Sequence, residues 1–289
     1  MKTVTIDHVT FNLQEPHDFS WLSSLGTVFE VFDEQDSGNL CFGVQKDGNK
    51  QFVKYAGAKP VDYKGDPADA VERLKQAIPV YKDLPHEHLI SFHDDFSTSE
   101  GHVAIFDWFN GECLHSHWSY PPPAKYNHPD SPYYKFKQLP IEDRIKAFDE
   151  ILSFHVYVES KGYVAVDFYD GSLLYDFDTN TMKICDIDFY TKSPVINKTG
   201  DFWGSRRSKA PEEYQKGAVI DTRSNVYTLG AIAFSIFGGE TDRSFDRWDA
   251  GERLFQVVSK AVSEERWSRF DSLREFQDIW NQVKRERIS

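Results

Sequence analysis

The chain has no surplus of positive charge. Its 289 residues carry 33 Lys and Arg against 46 Asp and Glu, a net charge of −13. Tracking a phosphate backbone requires clustered Lys and Arg, so no nucleic-acid partner is expected. A locally basic nucleotide site is not excluded. Cysteine is scarce as well. Cys41, Cys113 and Cys185 lie far apart and show no metal-ligand spacing. That pattern suits buried thiols in a reducing cytosol, and a cytoplasmic location is expected. Long apolar runs are also missing. Residues 1 to 7 lack the apolar stretch of a signal peptide. The most apolar segment, Val226 to Phe237, is interrupted by Thr228, Gly230 and Ser235 and is too short to span a bilayer. No membrane association is expected. There is no internal repeat and no low-complexity tract. What remains is 40% hydrophobic and 15% aromatic, a globular composition, on a chain long enough for two lobes.

Residues 26 to 56 read as three antiparallel strands. Thr27 to Phe32, Leu40 to Val44 and Gln51 to Ala56 are apolar or β-branched and are separated by Asp, Gly and Asn turns. Residues 67 to 82 read as a helix that opens on Pro67 and is weakened near its end by Pro79. Short strands are expected at 89 to 92 and 102 to 106. Residues 119 to 132, rich in Pro, Tyr, Asn and Asp, read as an irregular insertion and a possible protein-partner surface. Ile145, Phe148, Ile151, Leu152 and Val156 recur at helical spacing over 141 to 159. Further helices are expected at 222 to 237, 250 to 262 and 272 to 284. Strands come first and helices later, so the expected class is α+β: a small β-rich lobe over residues 1 to 109 and a larger helical lobe over 110 to 289.

The densest signal lies at 162 to 188. Asp167 follows a short β-branched run, Ser172 stands five residues later, and a second apolar stretch ends in Asp186-Ile187-Asp188. This layout resembles the catalytic loop and metal-binding strand of a protein kinase. Other landmarks fall in the same order. Phe52-Val53-Lys54 resembles the strand that carries the nucleotide-phosphate lysine, and Glu72 lies where its glutamate partner belongs. Asp107-Trp108-Phe109 resembles the hinge. Trp203-Gly204-Ser205 and Ala210-Pro211-Glu212 resemble the end of the activation segment, and Arg269 the arginine that pairs with that glutamate. The resemblance, to eukaryotic-type protein kinases of the serine/threonine kind, covers roughly residues 20 to 285. It implies a bilobal protein kinase-like fold. It implies ATP held by Lys54, Glu72, Asp107, Trp108 and Phe109, and Mg2+ or Mn2+ held by Asp186, Asp188 and Ser172. It also implies Asp167 as catalytic base, and Glu212 with Arg269 as structural glue. Lys54 and Glu72 are expected to approach within salt-bridge reach.

The departures bear on activity. The family's Asn metal ligand is Ser172, and the glycine after its metal aspartate is Asp188, an added carboxylate that could serve as the missing ligand or simply form a turn. Tyr169 replaces a lysine that contacts the transferred phosphate, which removes a cation from the transition state. Ala165 and Val166 replace His and Arg, so the usual phosphorylation switch is not expected. Asn225 replaces an aspartate that braces the catalytic loop. Residues 33 to 39 hold one glycine and three carboxylates, a poor phosphate cradle. Three functions stay open. They are an ATP-dependent protein kinase with altered metal ligation, a pseudokinase serving as a binding scaffold, and a small-molecule kinase of the aminoglycoside or choline type. The last is suggested by the Asp-Ile-Asp strand. The phosphate acceptor, protein or small molecule, is not named by the sequence.

Overall fold

The computed structural model describes residues 1–34, 36–116 and 118–288. The chain divides after Asn110 into two compact units. In the first, β1 (Lys2–Ile6) and β2 (Val9–Leu13) form a hairpin, followed by a 3-10 turn at Ser20–Ser24. A five-stranded antiparallel sheet comes next, built from β3 (Thr27–Phe32), β4 (Asn39–Lys46), β5 (Asn49–Ala56), β6 (Phe92–Ser97) and β7 (His102–Asp107). The order is β3-β4-β5-β7-β6, and helix α1 (Pro67–Asp83) connects β5 to β6.

Register assigns the faces, because directly opposed residues point the same way. Val53 lies between Phe42 and Ile105, and Tyr55 between Leu40 and Val103. These apolar residues pack on Phe11, Leu13, Phe19 and Leu22, so the N-terminal segment covers one face of the sheet. The other face carries Phe52 and Lys54 with their partners Gly43, Phe106, Cys41 and Ala104. Helix α1 covers part of this face through Tyr81, whose ring meets Phe106 edge-on at 4.9 Å. The side chain of Asp66 caps α1 by accepting from Ala68 N at 2.9 Å, and Pro67 opens the first turn. Pro79 does not end the helix, which runs to Asp83. Pro79 is exposed, and the buried stripe of Leu74, Ala77, Ile78 and Tyr81 holds the last turns in place. The strand expected at 89 to 92 is displaced to Phe92–Ser97, because Leu89 and Ile90 are buried ahead of it.

The second unit begins with β8 (Glu112–Cys113), α2 (Ala124–Asn127), α3 (Pro132–Lys137), α4 (Ile141–Ser160) and β9 (Tyr163–Val164). It continues with β10 (Leu173–Asp176), β11 (Thr181–Ile184), β12 (Thr191–Lys192), β13 (Val195–Ile196) and β14 (Val219–Ile220). It ends with α5 (Thr222–Phe237), α6 (Glu252–Ala261) and α7 (Leu273–Ile288). Helix α5 is buried without a break from Ser224 to Phe237, with α4, α6 and α7 packed around it. An all-round apolar helix must sit in the core of such a bundle. Trp280 of α7 seals it against Phe148 of α4 at 4.8 Å. Residues 119 to 132 are not wholly irregular. They contain α2, whose Lys125 is buried, because its amine finds partners inside the unit. Among the described residues no helix is long and apolar enough to cross a membrane.

Candidate functional site

After β9 the chain turns through 165 to 170. Val164, Ala165, Val166 and Phe168 are buried, while Asp167 is half-buried with φ +63°. Only a few non-glycine residues enter this left-handed region, aspartate among them. Such a conformation persists where the surroundings fix it, and here they can be named. Asn225 of α5 accepts from Ala165 N at 2.8 Å and donates through Nδ2 to Tyr163 O at 3.2 Å. The buried His155 of α4 lies with its ring 4.2 Å from Phe168. Its nitrogens meet Ile151 O and the Tyr190 hydroxyl, each at 2.7 Å. His155 therefore ties the residue after Asp167 to the segment that follows Asp188.

Asp186 is exposed, and its Oδ1 accepts from Asp188 N at 3.3 Å; Asp188 is half-buried. Ser172 is buried. Its N–H donates to Tyr169 O and its carbonyl accepts from Cys185 N, each at 2.9 Å, so the Asp167 loop and the stretch between β11 and Asp186 are joined through the backbone. Burial raises the hydroxyls of Tyr169 and Tyr190 well above the ordinary phenol range, and the charges of Asp167 and Asp186 raise both further. The two aspartates thus act on the same pair of tyrosines. Tyr169 stays a neutral phenol and supplies no cation. Its ring lies so close to Gly171 that a Cβ there would fall 2.4 Å from it. The activation-like segment also passes near: a Cβ on Gly204 would lie 3.5 Å from Asp167 Cα. Glu213, buried, is pushed up to about 7 by burial, with the charges of Glu212 and Asp167 adding to it.

Among the described residues no group of three or more His, Cys, Asp or Glu is placed to hold a metal ion. Magnesium is commonly held by one or two carboxylates, with water and substrate phosphate oxygens completing its shell. Asp186 with Asp188 fits that minimal set, and the buried Ser172 adds a hydroxyl at most.

In the first unit, Lys54 is 8% exposed on the α1 face of the sheet. Its expected pairing with Glu72 is not formed. Glu72 is exposed and accepts from Gln76 Nε2 at 2.8 Å, because its position on α1 turns it away from the buried stripe. Asp107 is exposed and lies 2.5 Å from His93 Nε2. Trp108 is half-buried, its indole N–H donating to Asn110 Oδ1 at 2.9 Å, and Phe109 is half-buried beside it. On the Lys54 face the gap above Gly43 is filled by protein: a Cβ there would lie 2.6 Å from Phe29 and 2.9 Å from Trp108. Phe32 and Phe52 continue this aromatic surface. Residues 33 to 38, of which Gln35 lies outside the described residues, are tied to α1. Arg73 donates to Ser37 O at 2.7 Å and to the Tyr63 hydroxyl at 3.2 Å, and Gly38 packs on the Tyr63 ring. This loop does not fit a phosphate cradle.

Sequence reasoning missed His155, Lys125, Asp170 and Glu213. Asp170 stands in the recognised loop, yet nothing in the pattern shows that its carboxylate points inward. Lys125 has no periodic neighbours to mark it as buried. His155 does fall on the apolar stripe of α4, which was a readable sign.

No family model matches the chain. Over 225 residues, 75% of its length, it is 24% identical to maternal embryonic leucine zipper kinase of Danio rerio. Over 205 residues, 69% of its length, it is 22% identical to serine/threonine-protein kinase RUNKEL of Arabidopsis thaliana. The matches cover 30% and 13% of those proteins, so the chain spans less than a third of the curated relatives it matches. These similarities support a kinase-like relationship. The β-rich first unit and helical second unit are compatible with a bilobal kinase-like fold.

Proposed function

We propose that this chain is an ATP-dependent phosphotransferase of the serine/threonine protein-kinase kind, working with Mg2+ or Mn2+. The observation that carries this reading is the strained, braced loop at Asp167, joined through the Ser172 backbone to the stretch that leads into Asp186. In this role Asp167 accepts the proton of the acceptor hydroxyl and orients it. Asp186, with Asp188, holds the metal, which when bound neutralises phosphate charge. Lys54 binds nucleotide phosphates from the first unit. Phosphoryl transfer is mostly positioning and charge neutralisation. Losing the cation at Tyr169 therefore slows the reaction without changing its class.

A second reading is a kinase-fold binding domain with no transfer. Glu72 turned to Gln76 and the aromatic surface over Gly43 favour it. One experiment separates the two. Thermal shift with ATP, with and without Mg2+ or Mn2+, reports binding, because a ligand of the native state at a hundredfold its dissociation constant adds about 2.7 kcal/mol. Radiolabelled transfer to the protein itself and to a generic protein acceptor reports chemistry. The phosphotransferase reading requires both signals, with transfer lost in Asp167→Asn. Nucleotide-induced stabilisation without transfer selects the binding domain. Neither signal in any metal removes the nucleotide from both.

A further inference from the structure

A four-charge cluster lies beneath the Asp167 loop. Lys125 of α2 is 1% exposed, and its amine bonds Asp170 Oδ2 at 2.5 Å and Glu240 Oε1. Arg207, from the segment that ends in Ala210-Pro211-Glu212, donates to Asp170 Oδ1 at 2.7 Å and lies 3.4 Å from Glu240 Oε1. Tyr126 donates to Glu240 Oε2 at 2.7 Å, and the Lys125 amine sits 4.3 Å from the centre of the Tyr133 ring. Two cations meet two carboxylates, with His115 Nδ1 a further 4.0 Å from Asp170 Oδ2, so each of the four buried charges is paired. The backbone is bent to build it. Glu240 has φ +59°, a left-handed conformation where glycine would be unstrained, and that bend is stapled by its N–H to Phe234 O at 3.1 Å.

We propose that this cluster is a built-in lock, in which Lys125 and Arg207 are positioning residues that hold the Asp167 loop and segment 199–209 in one arrangement without phosphorylation. The proposal rests on reading those two stretches as catalytic loop and activation segment. Asp170 is the joint: one oxygen goes to Lys125 of the insertion, the other to Arg207 of the segment. Arg207 also donates through Nε to Ser205 Oγ at 3.2 Å, which fixes the turn beside Gly204 and so the stretch packed on Asp167. Val166 offers no cation to a phosphorylated residue, and here the ordering charge comes from the chain's own carboxylates instead. The 119–132 segment thereby gains a role: it delivers the central cation.

Hydrogen exchange on the full chain, unphosphorylated, tests this. Lys125→Met should raise exchange at least tenfold in 199–209 and 167–172 and leave α5 unchanged. Lys125→Arg should recover most of the protection. Combining Lys125→Met with Glu240→Gln, which removes one charge of each sign, should restore part of it. Arg207→Met, at a site less buried than Lys125, should loosen 199–209 alone, and it carries the test if Lys125→Met does not fold. Unchanged exchange in 199–209 for Arg207→Met, or an equal rise across the whole unit for every variant, overturns the lock. The readout needs no catalysis, so a wild type that transfers no phosphate would defeat the phosphotransferase reading and leave this result standing.

Discussion

Arg269 grips Glu212 end-on, Nη1 to Oε1 at 2.7 Å and Nη2 to Oε2 at 3.0 Å, with the Arg269 side chain fully buried. Ser224 Oγ adds a bond to the same carboxylate at 2.7 Å, and Arg269 Nε donates to Ser263 O at 2.7 Å. Burial alone would raise the Glu212 carboxyl, but the hydrogen bonds and charge of Arg269 outweigh it and hold the group below its ordinary value. That stabilisation is fully present above the unfolded glutamate range and is lost as pH falls through the lowered value. Breaking one partner of such a pair costs about 3–5 kcal/mol. Arg269→Ala should therefore lower the melting temperature by about 10 °C for a unit of this size. Arg269→Lys should fall between, since an ammonium cannot reproduce the two-pronged contact. A melting curve that Arg269→Ala leaves in place would mean that this pair does not hold the stretch before α7 to the segment around Glu212.

Asn225 is a second brace, with a different sensitivity. It accepts from Ala165 N and donates to Tyr163 O, and it lies close enough to the half-buried Glu159 to act on its carboxyl. Burial pushes Glu159 up to about 7, against the lowering effect of its bond with Leu273 N and of the nearby Asn225 amide. An aspartate at 225 could accept from Ala165 N but would set a carboxylate against a carbonyl and a second carboxylate. Asn225→Asp should lower the melting temperature at pH 8, where Glu159 is ionised, and by less at pH 5, where it is protonated. Equal losses at the two pH values would show that Glu159 does not feel residue 225.

Glu213 makes stability itself depend on pH. Its folded value of about 7 lies above the ordinary glutamate value of 4.5. Between those values the folded chain holds more protons than the unfolded one, so stability falls as pH rises through that window and levels off above it. Glu213→Gln keeps an acceptor for Ala210 N, which now donates to Glu213 Oε2 at 2.6 Å, and removes the buried charge. The variant should gain on wild type between pH 5 and pH 8 in melting temperature. A difference that stays constant across that range would show that Glu213 does not titrate there.

The elements with strong periodicity were legible. Helix α5, bounded by the Asp221 cap and by Gly238, falls on the expected residues 222 to 237 because nearly every side chain along it is buried. Strand β6 was not, because His93, Asp94 and Asp95 give it little apolar pattern and its place is set by pairing with β7. In the candidate site, the order of Asp167, Asp186 and Glu212 could be read from spacing alone. Glu72 could not, because spacing puts a residue on a helix but does not say whether its carboxylate meets a sheet lysine or the next turn. Asp170 and Lys125 were hidden for a related reason. A buried ion pair between residues 45 apart in sequence is a tertiary fact with no local signal.

The chemistry offers the sharpest test of the aspartates. Asp167→Asn keeps the size of the side chain and removes the base, so transfer should fall by at least about a hundredfold while nucleotide-induced stabilisation persists. Asp186→Asn removes a carboxylate from the metal set and should abolish the magnesium-dependent part of that stabilisation. Asp188 decides between a ligand and a turn. As a ligand, Asp188→Asn raises the magnesium concentration needed for half-maximal transfer, and adding Ser172→Asn lowers it again by restoring an amide oxygen nearby. As a turn residue, its backbone N–H, which donates to Asp186 Oδ1, is unaffected by the change. The magnesium requirement then stays at the wild-type value, and Ser172→Asn has nothing to rescue. A magnesium titration of the three single variants and the double variant separates these outcomes, since only a lost ligand is compensated by more metal.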